Sequence, residues 1–188
     1  MNLPNILTLS RIVFAFFIVL LLLANTLAGH ITAALLFVIA AGTDFYDGYL
    51  AKRQGLSSDF GKIMDPISDK VLMLAVFGVL AHLGMVAWWM VIAMAAREVA
   101  VTVFRLQAMA QGLVLAAERA GKIKTACQML TIAAILLFLI TEQSEFAVDW
   151  FYRVQMGWRS LINVLMVASV FLTVGSGVLY FRDKWGKQ

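Results

Sequence analysis

The sequence predicts an all-α, polytopic membrane protein with six transmembrane helices and both termini in the cytoplasm. Three observations lead there. Of 188 residues, 62% are hydrophobic and only 14% are charged, against about 25% charged in an ordinary soluble domain. The apolar residues fall in continuous runs with no alternation of period two, which favours helices over strands as the spanning elements. Lysine and arginine gather on one side of the resulting spans. A soluble globule of this size could not hide so much apolar surface, and a disordered chain would not contain it. The single cysteine, Cys127, excludes a disulfide scaffold.

The elements follow in order, each judged against the roughly 20 apolar residues a bilayer crossing needs. The first span is Ile6–Ala28, just after Pro4. It has no basic region before the apolar stretch and is not read as a cleavable signal peptide. Asn5 or Thr8 can cap this helix and Arg11 can snorkel to headgroups; equally, the three can line a cavity. The second span, Ile31–Tyr49, carries Asp44 and Asp47 at its cytoplasmic end, and a polar loop, Lys52–Lys62, follows. Asp65 and Pro66 open the third span, Ile67–Leu83, with Asp65 placed as a cap and Pro66 where a missing N–H costs little. The fourth, Val86–Ala108, contains Arg97, Glu98 and Arg105. Arg119, Lys122 and Lys124 mark the start of the fifth, Ile123–Ile140. A polar stretch, Thr141–Arg159, includes Trp150, Phe151, Tyr152 and Trp158, an interfacial belt. The last span, Leu161–Phe181, has Ser169, Thr173 and Gly177 at intervals of four, a seam for internal packing or for a dimer contact. His30 and His82 fall near outer ends and take no catalytic role, and Cys127 reads as a small buried hydrophobe. The spans use most of the chain, so residues 1–188 read as one membrane domain.

With six spans, most basic residues share the side of the termini, while the other side has only Arg153 and Arg159 beside Glu142, Glu145 and Asp149. The net charge of +4 is therefore a property of one face. That face suits anionic lipid and anionic substrates, and no nucleic-acid partner is expected.

The acidic residues carry the chemical signal. Asp44 and Asp47 are three apart, and Asp65 and Asp69 are four apart, so each pair shares a helix face. Four carboxylates at membrane depth repel one another and resist desolvation. Two divalent cations, Mg²⁺ or Mn²⁺, would balance them in formal charge and leave positions open for phosphate, so a bound diphosphate is the natural ligand. Capping or pairing with Lys52, Arg53, Lys62 and Lys70 is the plainer reading. It leaves Asp44 and Asp47 unexplained, because a helix C-terminus disfavours acids. Gly48, Ala51 and Gly61 flank the aspartates and let a ligand approach the backbone.

The segment from Asp44 to Asp69 reads D-F-Y-D-G-Y-L-A-K, eight residues, then G-K-I-M-D-P-I-S-D. It resembles the signature of the CDP-alcohol phosphatidyltransferase family, D-x-x-D-G-x-x-A-R-x(8)-G-x-x-x-D-x-x-x-D. The one departure is Lys52 in place of the family's arginine, with Arg53 following, which keeps the charge without the bidentate geometry. The resemblance implies transfer of a phosphoalcohol group from a CDP-linked donor to an alcohol, with release of CMP. It implies that Asp44, Asp47 and Asp65 hold two metal ions with the donor diphosphate. Asp69 would help hold the second ion and act as general base, and Gly48, Ala51, Lys52 and Gly61 would lie against the donor.

For the acceptor, Arg97, Arg105, Lys122 and Lys124 form a basic wall on the aspartate side, which suits a phosphate-bearing alcohol. The plainer alternative is a Glu98–arginine pair among ordinary topology determinants. The segments L-P-N-I-L-T-L-S-R, A-R-E-V-A-V-T-V-F-R and G-K-I-K-T resemble bacterial members of the family that join CDP-diacylglycerol to sn-glycerol 3-phosphate. That likeness implies an enzyme of the bacterial cell membrane, acting as a homodimer. Rival acceptors within the family are inositol phosphate, serine and phosphatidylglycerol. An intramembrane prenyltransferase also pairs aspartates with Mg²⁺ and diphosphate, but the G-x-x-A spacing argues against it. A cation carrier would place its site near the midplane.

Overall fold

The computed structural model describes residues 3–54, 59–110, 119–144 and 149–185. Six helices occupy them: α1 Leu3–Leu23, α2 Leu27–Gln54, α3 Asp59–His82, α4 Trp88–Ala110, α5 Arg119–Gln143 and α6 Asp149–Trp185. No strand occurs among the described residues, in keeping with the all-α expectation. Two stretches, Ile123–Gln143 and Val154–Val178, are long and apolar enough by length and composition to cross a membrane. Shorter apolar stretches occur at Ser10–Leu23, Leu27–Thr43 and Lys70–His82.

Local chemistry sets the turns. Asn25 closes α1 in the left-handed region (φ 49°), a conformation asparagine tolerates. Thr26 then caps α2: its Oγ1 accepts the Gly29 N–H at 3.1 Å, and its carbonyl accepts from His30 at 2.8 Å. Gly29 is required by proximity, since an added Cβ would sit 2.7 Å from the Leu21 carbonyl oxygen. α3 ends in a Schellman motif. Gly84 takes φ 74°, its N–H bonds to Ala81, and the Met85 N–H reaches back to Leu80.

Short connections make consecutive helices antiparallel. α1 packs on α2 and α3, α5 on α2 and α6, and α4 on α3 and α6. Each helix presents a buried stripe at helical spacing, Arg11, Ala15, Ile18 and Leu22 on α1 and Ile162, Met166, Ser169, Thr173 and Ser176 on α6. At one end of the bundle the stripes are mainly apolar, built from Leu22, Phe77, Leu80, Phe138 and Met166, with His30 of α2 fully buried at the same end. Trp158 meets Phe138 edge-on there, with ring centroids 6.1 Å apart. At the opposite end the stripes turn polar, with Arg11, Ser68, Glu98, Lys124, Gln128 and Ser176 all buried.

Several sequence expectations need correction. α2 continues to Gln54, so Asp44 and Asp47 lie well inside it and not at its last turn. The macrodipole acts mainly within the last turn, so it does not bear on them. α3 starts at Asp59, so Asp65 is not its cap and Pro66 lies about two turns inside. There Pro66 cannot donate to the carbonyl four residues back. α5 and α6 extend into the supposed polar stretch, leaving Trp158 helical and packed. Arg11 is only 3% exposed and lies on the inner stripe, which a headgroup-seeking arginine would not do. Cys127 is half-buried and accepts a hydrogen bond from Ser169 at 3.3 Å.

Candidate active site

The backbone places Asp44 and Asp47 with Gly48, Ala51 and Lys52 along α2, and Gly61, Asp65 and Asp69 along α3. Helical continuity through both segments preserves the shared face within each aspartate pair. The side chains of these residues, and those of Asn5, Thr8, Arg105 and Lys122, lie outside the described residues. So does the expectation that the two aspartate pairs face each other. Among the described residues there is no group of three or more potential metal ligands.

The described part of the polar end centres on Glu98. Its carboxylate is 5% exposed and gathers cations from three helices. Lys124 of α5 bonds to Oε1, Arg97 of α4 places Nη1 3.2 Å from Oε1, and Lys70 of α3 places Nζ 3.5 Å from Oε2. Lys70 also donates to Thr102 Oγ1, and Thr102 donates to the Glu98 carbonyl at 2.7 Å. Lys70 and Lys124 have further neighbours beyond this set. An isolated buried carboxylate would be costly, so the cations and Glu98 require one another. Within the set, three positive charges meet one negative.

A cleft opens beside this cluster, lined by Lys70, Met73, Leu74, Phe77, Met94, Glu98, Lys124, Thr125 and Gln128. Its charged lip is continuous in sequence with Asp69, the residue before Lys70. Apolar walls lower the local dielectric and strengthen any charge interaction at the lip. Below it a ladder joins α5 to α6: Gln128 Nε2 donates to Thr173 Oγ1 at 3.0 Å, and the Thr131 and Ser169 hydroxyls pair at 3.0 Å. The small-residue stripe of α6 is thus an internal seam.

Of the basic residues expected from sequence, Arg97 and Lys124 come together. Adjacent helical residues diverge by about 100°, yet the long Arg97 side chain folds back to Glu98. The Glu98–arginine pair expected from sequence is therefore present. Sequence reasoning missed Lys70, Thr102 and Ser176 as members of the cluster. Lys70 carried a usable signal, since it follows an aspartate of the motif at the head of a span.

The CDP-alcohol phosphatidyltransferase family model matches residues 1–176. The chain belongs to the CDP-alcohol phosphatidyltransferase family. It is 37% identical to the CDP-diacylglycerol–glycerol-3-phosphate 3-phosphatidyltransferase of Bacillus subtilis (strain 168), over 98% of this chain and 95% of that protein. It is 35% identical to a probable phosphatidylglycerophosphate synthase of Mycobacterium tuberculosis (strain ATCC 25618 / H37Rv), over 95% of this chain and 79% of that one. It is 36% identical to the Escherichia coli (strain K12) CDP-diacylglycerol–glycerol-3-phosphate 3-phosphatidyltransferase, over 72% of this chain and 76% of that one. The family resemblance read from the Asp44–Asp69 motif is borne out.

Proposed function

We propose that this chain transfers the phosphatidyl group of CDP-diacylglycerol to sn-glycerol 3-phosphate, giving phosphatidylglycerophosphate and CMP. The carrying observation is the convergence of Lys70 and Lys124 at a cleft one residue along α3 from Asp69, with Arg97 joined to the same cluster through Glu98. A phosphate monoester needs such a wall, and a neutral alcohol does not. The printed names of the relatives, matched over most of the chain, support the same acceptor.

In this reading Asp44, Asp47, Asp65 and Asp69 would hold two divalent ions, Mg²⁺ or Mn²⁺. Hard carboxylate oxygens paired on continuous helices suit such cations. Bound metal would supply charge neutralisation at the donor diphosphate and the CMP leaving group. Gly48, Ala51, Lys52 and Gly61 lie against the donor. Arg97, Arg105, Lys122 and Lys124 orient the acceptor phosphate, with Asn5, Thr8 and Arg11 lining the cavity. Asp69 takes the proton of the acceptor hydroxyl. The hydroxyl oxygen bonds to the phosphorus that carries the diacylglycerol, and the bond from that phosphorus to CMP breaks.

The chain works as a single domain of six membrane spans in a bacterial cell membrane, with both termini and the site facing the cytoplasm, and as a homodimer. Support comes from large apolar side chains that face outward, such as Phe16, Val38, Ile92, Leu130 and Phe171. Such a surface suits lipid contact and leaves the donor's acyl chains free to stay in the bilayer.

The test is CMP release by the purified protein in detergent with Mg²⁺ and CDP-diacylglycerol, offering acceptors one at a time. Release is expected with sn-glycerol 3-phosphate. Release with inositol phosphate, serine or phosphatidylglycerol in its place would reassign the acceptor. Silence with all of them would remove the activity.

A further inference from the structure

Arg97 is held by α6 as well as by its own helix. Its Nη1 faces Glu98, while Nη2 donates to Ser176 Oγ at 2.9 Å. Ser176 is itself oriented, donating to the Thr173 carbonyl at 3.0 Å. The next residue, Gly177, is buried, and the arginine stem lies across it. A Cβ at Gly177 would sit 2.9 Å from both Cγ and Nε of Arg97. No real side chain packs so closely, so any other residue there would displace the arginine. Gly177 also lies just past the residues matched by the family model.

We propose that Ser176 and Gly177 form a slot on α6 that positions Arg97 for the acceptor phosphate. The glycine admits the stem and the serine fixes one end of the guanidinium. Glu98 fixes the other end, so the planar fork is held at both tips before any ligand arrives. Holding a long, rotamer-rich side chain in advance lowers the entropic cost of binding. Ser176 and Gly177 act through Arg97 and are positioning residues only. The role rests on the acceptor reading above.

The variants are G177A, S176A and R97A, with the double variant G177A/R97A. At Gly177 the clash is with a flexible side chain and not with backbone, so G177A moves Arg97 while leaving the helices packed. Melting in detergent is recorded for each variant. G177A and S176A should each raise KM for sn-glycerol 3-phosphate about tenfold, the size of one charge-assisted hydrogen bond. KM for CDP-diacylglycerol and kcat should change little. In the R97A background, G177A should add nothing, because the slot then has no occupant. If R97A raises the acceptor KM but neither α6 variant does, the slot is overturned and the acceptor reading stands. If R97A itself leaves that KM unchanged, the acceptor reading of Arg97 fails. A parallel rise in both KM values would overturn the positioning role in favour of a general packing role.

Discussion

At the scale of single residues, charge in a low-dielectric setting decides what each group must do. Glu98 is the sharpest case, with Lys124, Arg97 and Lys70 drawn to one buried carboxylate. Replacing it by glutamine keeps the shape and removes the counter-charge. Breaking a buried pair in this way costs on the order of 3 kcal/mol, so E98Q should melt at a clearly lower temperature in detergent than the parent. An unchanged melting temperature would mean the cations are satisfied elsewhere. Asp69 makes a different prediction, because its proposed work is chemical. D69N cannot accept the acceptor proton, so CMP release should fall by at least the hundredfold typical of a lost general base. CDP-diacylglycerol binding, followed separately, should persist in part. Near-normal turnover would take the base role away from Asp69.

At the scale of elements, the six helices and their order were legible because apolar runs alternate with breakers. The ends were not. Nothing in the run Thr43–Gln54 marks a stop, and α2 runs on through its aspartates well past the apolar stretch that ends at Thr43. Asp65–Pro66 looks like a helix start because proline favours that position, but α3 has already begun at Asp59. The site was legible where a motif carried it and where a long basic residue fell inside a span. The contacts of Lys70 with Thr102 and of Arg97 with Ser176 depend on which helices are neighbours, and apolar periodicity does not encode that. Gly177 was visible as a small residue at spacing four, yet its role depends on the arginine opposite. The α1–α2 turn gives an element-scale test. At Gly29 an added methyl meets backbone, the Leu21 carbonyl at 2.7 Å, which cannot swing aside. G29A should cost about 1–3 kcal/mol through overpacking. G78A is the control: its site on α3 is open, so it should match or exceed the parent, alanine being the better helix former. Equal melting of the two variants would contradict the close approach of α1 and α2.

At the scale of the whole molecule, the polar and apolar ends of the bundle follow from antiparallel alternation. Five of the buried polar groups lie in the first halves of α1, α3 and α5 (Arg11, Ser68, Lys124), at the middle of α4 (Glu98) and late in α6 (Ser176). Alternating helices bring those five positions to one end. The excess of lysine and arginine in the loops follows the same division, and the positive-inside tendency supports the proposed cytoplasmic placement of that end. The far end is joined by Gln143, which donates to the Asn25 carbonyl at 3.1 Å, and by Arg159, which stacks over Phe138 and faces Glu142 at 3.6 Å. These facts give a topology test that is independent of catalysis. A reporter active only in the cytoplasm should work when fused after Gln188 and fail when inserted at Ser144, at the end of α5. A reporter active only outside should give the converse. Activity of one reporter at both positions would mean an even number of crossings between them, so that α6 does not cross. The last helix would then lie on or beside the bilayer, and Ser176 and Gly177 could not stand at the same depth as Arg97. The hydrogen bond between Arg97 and Ser176 links α4 to α6 at a single level, so that outcome would overturn the proposed six-span arrangement.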